Sequence, residues 1–274
     1  MKIHEHRLLG AESDAIRSVP SPNLGGDLDP RYIVIHYTAG PSAESSVNWL
    51  ANPAARASAH LVIGRDGSIV QLIPFDRVAW HAGPSRWEGL VGLNRHAIGI
   101  ELDNAGRLER KGGTWCAWFG APYQEEDLMV AKHKHEAREC GWHLYTPPQL
   151  ETALAVCRML VGQYPVRDVV GHDDISPGRK WDPGPAFPMG SFRAHLFGRA
   201  EDRLPSFRTR TALNIRTGPG TQHERLPESP LAPDTRLEVL DEARDWRFVN
   251  VVGTPDPGAD VEGWVHGAFI ERIE

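Results

Sequence analysis

Two continuous apolar runs dominate the N-terminal half of the chain. Tyr32-Ile33-Val34-Ile35-His36-Tyr37-Thr38 and Ala97-Ile98-Gly99-Ile100-Glu101-Leu102 have the β-branched, unalternating pattern of strands buried on both faces. Each run is broken by one ionisable residue, His36 in the first and Glu101 in the second. Between them, Ala59–Ile63 and Ser68–Ile73 flank Gly64-Arg65-Asp66-Gly67, which predicts a β-hairpin. Residues 45–52 (SSVNWLAN) suit a short helix. The strongest helical pattern runs from Pro148 to Tyr164, where Leu150, Leu154, Cys157 and Val161 recur at helical spacing between flanking prolines. Val169-Val170 reads as one more short strand. Residues 1–30 are polar and rich in Gly and Pro, and read as an arm leading into the first core strand. Residues 104–146 are polar and aromatic-rich without a clear period, and read as a long excursion. Strands and helices mixed along the chain read as α/β.

The texture changes after a polar break near residues 199–208. From Thr209 onward, short strands are separated by turn residues at intervals suited to a small all-β barrel. The expected layout is an arm over 1–30, an enzyme domain over 31–200, a linker over 201–208 and a barrel over 209–274. The chain has 274 residues, 41% hydrophobic and 24% charged, ordinary values for a globular protein with one sizeable core. Its formal net charge of −6 argues against nucleic acid as a partner. Residues 209–274 hold 7 basic against 12 acidic side chains, so the charge concentrates in the tail. Cys116, Cys140 and Cys157 are odd in number and lack metal-site spacing, so they read as thiols. No run approaches the roughly 20 apolar residues of a membrane span, and the polar Met1–Arg7 stretch lacks a secretory signal. The expected location as synthesised is the cytoplasm.

Candidate chemistry concentrates in Gly171–Phe187 (GHDDISPGRKWDPGPAF), which sets His172, Lys180 and Asp182 among prolines and glycines. An imidazole and a carboxylate suit a borderline metal such as zinc. Lys180 and Asp182 are two apart, so in an extended segment both side chains leave from one face. The same composition also suits a turn-rich surface loop. His36 and Glu101, each interrupting an apolar strand, favour the chemical reading, since a buried Glu is costly unless paired or functional. The pairs His4/His6 and His133/His135 each lack a third ligand and read as solvated loops. His60 reads as a core or supporting histidine.

The motifs Val34–Ala39 (VIHYTA), Ala79–Gly83 (AWHAG), Ile98–Leu102 (IGIEL) and Gly171–Phe187 resemble, in order, the zinc-dependent N-acetylmuramoyl-L-alanine amidases of the peptidoglycan-recognition fold (amidase type 2, AmpD/AmiD-like). The resemblance covers residues 30 to 195 and implies an α/β domain with a central mixed β-sheet flanked by helices. It implies one zinc ion per chain held by His36, His172 and Asp182, with Glu101 as general base and Lys180 supporting the transition state. His81, Trp80, Asn94 and Arg179 become candidates for substrate binding, and Trp87 for sugar stacking. The implied activity is bacteriolytic or recycling hydrolysis of the bond between N-acetylmuramic acid and L-alanine. A non-catalytic peptidoglycan-binding protein is the alternative. Ala212–Gly220 (ALNIRTGPG), Asp245-Trp246 and Gly263–His266 (GWVH) resemble bacterial SH3 domains, interrupted by an insertion at residues 253–260. That resemblance implies a partner in cell-wall peptide.

Overall fold

A computed structural model describes residues 1–10, 16–198, 206–252 and 261–273. The central sheet has six strands in the order Asp168–Gly171, Tyr32–Tyr37, Ala97–Leu102, Leu61–Ile63, Ile69–Gln71, Ile16–Ser18. The first four lie parallel, Leu61–Ile63 and Ile69–Gln71 form the expected antiparallel hairpin, and Ile16–Ser18 runs parallel to Ile69–Gln71 at the edge. Both faces of this sheet are covered, which is why its strands are apolar without alternation. Ile33, Ile35, Ile98, Ile100 and Val169 face one core with the Pro147–Gln163 helix, and Tyr32, Val34, Ala97 and Val170 face a second core with Ala82 and Leu93.

Residues 1–30 are not a free arm. Ile16–Ser18 belongs to the main sheet, Leu24–Asp27 pairs with Arg77–Ala79, and Leu8 is buried in the main core. Isolated three-residue strands carry too little pattern to be seen without their partners. The Ala43–Leu50 helix begins at Ser42, whose hydroxyl accepts from Ser45 N–H. The long helix starts at Pro147, capped by Thr146, but its buried stripe is Gln149, Ala153, Val156, Cys157 and Leu160. Leu150 and Leu154 are half-buried against the main core and also line a cavity of about 900 Å³ toward the C-terminal residues. The helix is apolar on two faces because it packs in two directions.

Residues 107–143 form a five-stranded antiparallel sheet where no period was legible. Its strands include Arg107–Lys111, Leu128–Lys132 and Glu139–His143, which carry Leu108, Leu128, Met129 and Trp142 into small cores. A second five-stranded antiparallel sheet is built from residues 206–272, in the order Val261–His266, Trp246–Val251, Arg236–Ala243, Ser206–Thr209, Ile270–Arg272. It therefore starts inside the expected linker, at Ser206; residues 201–205 of that linker and the 253–260 insertion lie outside the described residues. Leu213, Ile215, Leu237, Val249 and Val265 form its core. Trp264 and Ala243 pack in one cluster with Trp142, Met129 and Cys140, and Ser191 and His195 both contact Glu262 at 2.8 and 2.7 Å. The cysteines are free thiols.

Candidate metal centre and active site

Strand register assembles the site. Val170 pairs with Val34 and Ile35 with Gly171, so His172 emerges level with His36; Glu101 is the direct register partner of His36 on the other side. Register partners in parallel strands project from the same face, so His172, His36 and Glu101 stand in a row at the carboxyl ends of three neighbouring strands. That is where open α/β sheets characteristically place their ligands. Asp182 returns to this row on the loop after the short His172–Ile175 helix, held by a backbone bond from Asp173 N–H to Asp182 O of 2.8 Å.

The three expected ligands converge. His36 Nδ1 and His172 Nδ1 are 2.9 Å apart and lie 2.8 and 2.9 Å from Asp182 Oδ2. All three residues are buried. Hydrogen bonds behind them decide what these atoms carry. His172 Nε2 faces the Ala82 carbonyl at 3.1 Å, and His81 Nε2 faces the Ala97 carbonyl at 3.1 Å. A carbonyl only accepts, so both nitrogens carry hydrogen; Arg179 Nη2, 3.3 Å from His172 Nε2, spends its own hydrogens on nearer oxygens. His81 Nδ1 is then an acceptor, and it receives His36 Nε2–H at 3.0 Å. By this assignment the Nδ1 lone pairs of His36 and His172 point at a carboxylate oxygen with no proton among the three. Burial and the neighbouring His172 hold the His36 imidazole down to about 4, so it stays neutral. Asp182 is held below the ordinary carboxylate range: burial opposes ionisation, but its contacts with His172 and His36 outweigh it. Neutral lone pairs and an anion in one buried focus fit a cation, and an N/N/O donor set fits a borderline one.

Glu101 is part-buried, and its Oε2 is enclosed without a hydrogen-bond partner. Burial, and then Asp182, push its carboxyl up to about 8, opposed by the nearby Lys180 ammonium. A carboxylate raised into this range is suited to exchanging protons near neutrality. Lys180 is half-buried on the loop that brings in Asp182, with its backbone N–H on Ser176 O at 3.1 Å.

The candidate substrate residues divide. His81 has both ring nitrogens engaged, and it orients His36 from behind. A side chain at Gly99 would meet the His81 ring at 2.4 Å, so the glycine of the IGIE run exists to admit that ring. Asn94 Oδ1 accepts from His81 N–H and Ala82 N–H at 3.0 and 2.7 Å. Arg179 Nη2 reaches Ala82 O, Pro84 O and Ser176 Oγ at 2.8, 2.9 and 2.7 Å. Both residues thus brace the loop whose Ala82 carbonyl orients His172. Trp80 stays at the surface, 37% exposed, while Trp87 packs part-buried against the second core. His60 is fully buried, accepting from Gly99 N–H and facing the Arg77 carbonyl.

Two supports come from the excursion. His133 is buried rather than solvated: its Nε2 donates to Asp173 Oδ2 at 2.9 Å, and Lys134 bridges Asp173 and Asp174 at 2.9 and 2.6 Å. Beside it, Glu136 Oε1 accepts from the Trp181 indole at 2.6 Å and from Arg107 at 3.1 Å, and the Arg107 guanidinium lies 5.6 Å over the Trp181 ring. Trp181 sits between Lys180 and Asp182, so this clamp fixes the segment that carries both. Trp142 backs the following turn, where a side chain at Gly184 would meet its ring at 2.7 Å, and Tyr145 OH donates to Pro183 O at 2.8 Å. These partners lie about forty residues from their targets, and no local spacing marks them.

Residues 26–185 match the family model described as N-acetylmuramoyl-L-alanine amidase. The 1,6-anhydro-N-acetylmuramyl-L-alanine amidase AmpD of Escherichia coli (strain K12) is 33% identical over 215 residues, 70% of this chain and 96% of that protein. The N-acetylmuramoyl-L-alanine amidase AmiD of the same organism is 31% identical over 167 residues, 58% of this chain and 50% of that protein. A crystal structure of a selenomethionine derivative of AmpD covers 72% of this chain and 99% of its own, with 30% identity and a TM-score of 0.49.

Proposed function

The chain belongs to the N-acetylmuramoyl-L-alanine amidase family and is a peptidoglycan amidase, and from that premise we propose that its centre is His36, His172 and Asp182 holding one zinc ion per chain. The observation that supports zinc most directly is the convergence of two imidazole lone pairs on Asp182 Oδ2, with both tautomers set by backbone carbonyls. Zinc in a three-ligand site acts as a Lewis acid and lowers the pKa of a bound water toward about 7. The protein's own groups then move the protons. Glu101 accepts the proton of the attacking water and delivers it to the departing α-amine of L-alanine. The Lys180 ammonium faces the negative charge that develops on the lactyl carbonyl oxygen. His81, Asn94 and Arg179 act from behind, by holding His36 and the Ala82 carbonyl, and Trp80 remains at the surface for substrate.

The non-catalytic alternative leaves Glu101 without a purpose, since a purely binding site gains nothing from an enclosed, unpartnered carboxylate oxygen. For residues 206–273 the proposal is a bacterial SH3-like domain that binds cell-wall peptide. Leu213 and Ile215 of its opening run lie in the core, and Arg216 pairs with Trp264 of its closing run. No helix among the described residues is long and apolar enough to cross a membrane.

One experiment addresses chemistry and substrate together. Protein purified without chelator is assayed for metal, then incubated with sacculi and with 1,6-anhydro-MurNAc-tripeptide, and products are read by mass spectrometry. The expected result is stoichiometric zinc and peptides with a free L-alanine amine. Metal-free protein that zinc does not activate would overturn the zinc assignment.

A further inference from the structure

Trp118 is 72% exposed, more than any other exposed large apolar side chain of the described residues, yet it is not loose. Its indole Nε1–H donates to the Ala39 carbonyl at 2.6 Å, and Phe119 meets its ring nearly edge-on, centroids 5.7 Å apart at 88°. Scattered surface hydrophobics are ordinary. A surface Trp held in one orientation is different, because it loses rotamer freedom without gaining burial.

Its anchor lies on the segment that leaves the His36 strand. Ala39 is the third residue after His36 and adopts a left-handed backbone, φ 51°, which a residue with a Cβ rarely takes. The excursion holds it there from both sides: Ala39 N–H donates to Asn104 O at 3.0 Å, and Ala39 O accepts from Trp118. Asn104 is buried, its own amide on His143 O at 3.0 Å. The loop that leaves the ligand strand is thus strained, and strain of this kind concentrates at functional sites. The bond that holds the loop also fixes the indole, so its exposed surface is set relative to His36.

The surroundings decide what such a face accepts. The neighbouring strands carry charged and polar groups of both signs: Arg110 lies 5.3 Å over Trp115, whose indole donates to Glu125. One exposed flat aromatic among charged hydrogen-bonding groups suits neither a lipid surface nor a broad apolar protein face. It suits a sugar ring, which has one C–H face and a rim of hydroxyl and amide groups. We propose that Trp118 is a saccharide subsite of the amidase centre, stacking on the N-acetylhexosamine next to the muramoyl unit whose lactyl amide is cut. This rests on the amidase reading, and it makes the chain selective for glycan-borne stem peptides over single-sugar muropeptides.

The test compares Trp118→Ala with the parent chain on two soluble substrates, MurNAc-tripeptide and GlcNAc-MurNAc-tripeptide. An aromatic contact of this kind corresponds to about three- to tenfold. The expected result is that fall in kcat/KM on the disaccharide substrate, through KM, with the single-sugar substrate unchanged. Trp118→Phe, which keeps a face but not the N–H, should recover part of it. Equal losses on both substrates would make Trp118 a mere prop for the Ala39 loop, and no loss on either would make it idle; both overturn the subsite. A titration that needs no catalysis runs beside it. Peptide-free (GlcNAc-MurNAc)2 should shift the Trp118 indole cross-peak of the full chain, identified by its loss in Trp118→Phe. An unmoved cross-peak overturns the proposal. A parent chain that cleaves neither substrate would instead count against the amidase reading, leaving the titration to decide the subsite.

Discussion

His172, His36 and Glu101 reach the site by strand register, whereas Glu136, His133 and Trp142 reach the same loop from an antiparallel sheet forty residues away in sequence. The two regions differ in what fixes them. Residues in the parallel sheet are placed by backbone pairing that their own apolar runs specify. Residues in the covering sheet are placed by side chains that meet only after folding. The chemistry should therefore collapse when a register residue changes, and only detune when a covering residue does.

The sharpest break is between the proposed ligands and the proposed base. Asp182→Ala should lose the metal and with it all measurable turnover. Glu101→Gln should keep the metal and lower kcat by about 10²–10⁴, the usual contribution of a general base. Metal analysis alongside single-turnover assays separates them. If Glu101→Gln also loses metal, Glu101 belongs to the donor set and the division between ligands and base fails.

One step outward lies His81, which reaches His36 only because residue 99 is glycine. Gly99→Ala places a Cβ 2.4 Å from the His81 ring, so the ring must move and His36 loses its tautomer partner. Supporting hydrogen bonds of this kind change metal affinity by about 10–100-fold. Competition against a metallochromic chelator measures it. Unchanged affinity would mean that His36 is held by its strand alone.

This gradient matches what could be read in the chain. His36, Glu101 and the hairpin were legible because each interrupts or bounds a local pattern: a His ending an apolar strand, a Glu inside one, Asp-Gly between two. The Arg107–Lys111 and Glu139–His143 strands were not, because their cores are small and shared with other elements, leaving no period of their own. The same reason hid His133. Two histidines two apart look like a solvated loop until Asp173 arrives from another element. The long helix was legible in part: Leu150, Leu154, Cys157 and Val161 lie in or against the main core, but their spacing did not show that Leu150 and Leu154 also line the cavity toward the C-terminal sheet.

The clamp on Trp181 should show the intermediate effect. Glu136→Ala removes the acceptor of the Trp181 indole and the partner of Arg107, loosening the segment between Lys180 and Asp182. Misplacement by about 1 Å costs up to 10², so a kcat fall of about tenfold with KM unchanged is expected. Glu136→Gln retains an acceptor for the indole and should recover most of it. A fall in KM-dependent binding instead would assign Glu136 to substrate.

The smallest effect on chemistry should come from the farthest support. Trp264 is buried in the cluster that also holds Trp142, and Trp142 in turn backs the Gly184 turn next to Asp182. Truncating a buried tryptophan costs about 3–5 kcal/mol of stability, so Trp264→Ala should shift the urea midpoint clearly. Trp142 itself keeps its indole bond to Ala131 O at 3.1 Å and its packing on Gly184, neither of which involves Trp264. Turnover of a small soluble muropeptide below the midpoint should then match the parent. A drop in kcat in the fully folded protein would show that the C-terminal sheet shapes the active-site loop through Trp142. Removing residues 206–273 would then cost activity on every substrate, not only on intact wall.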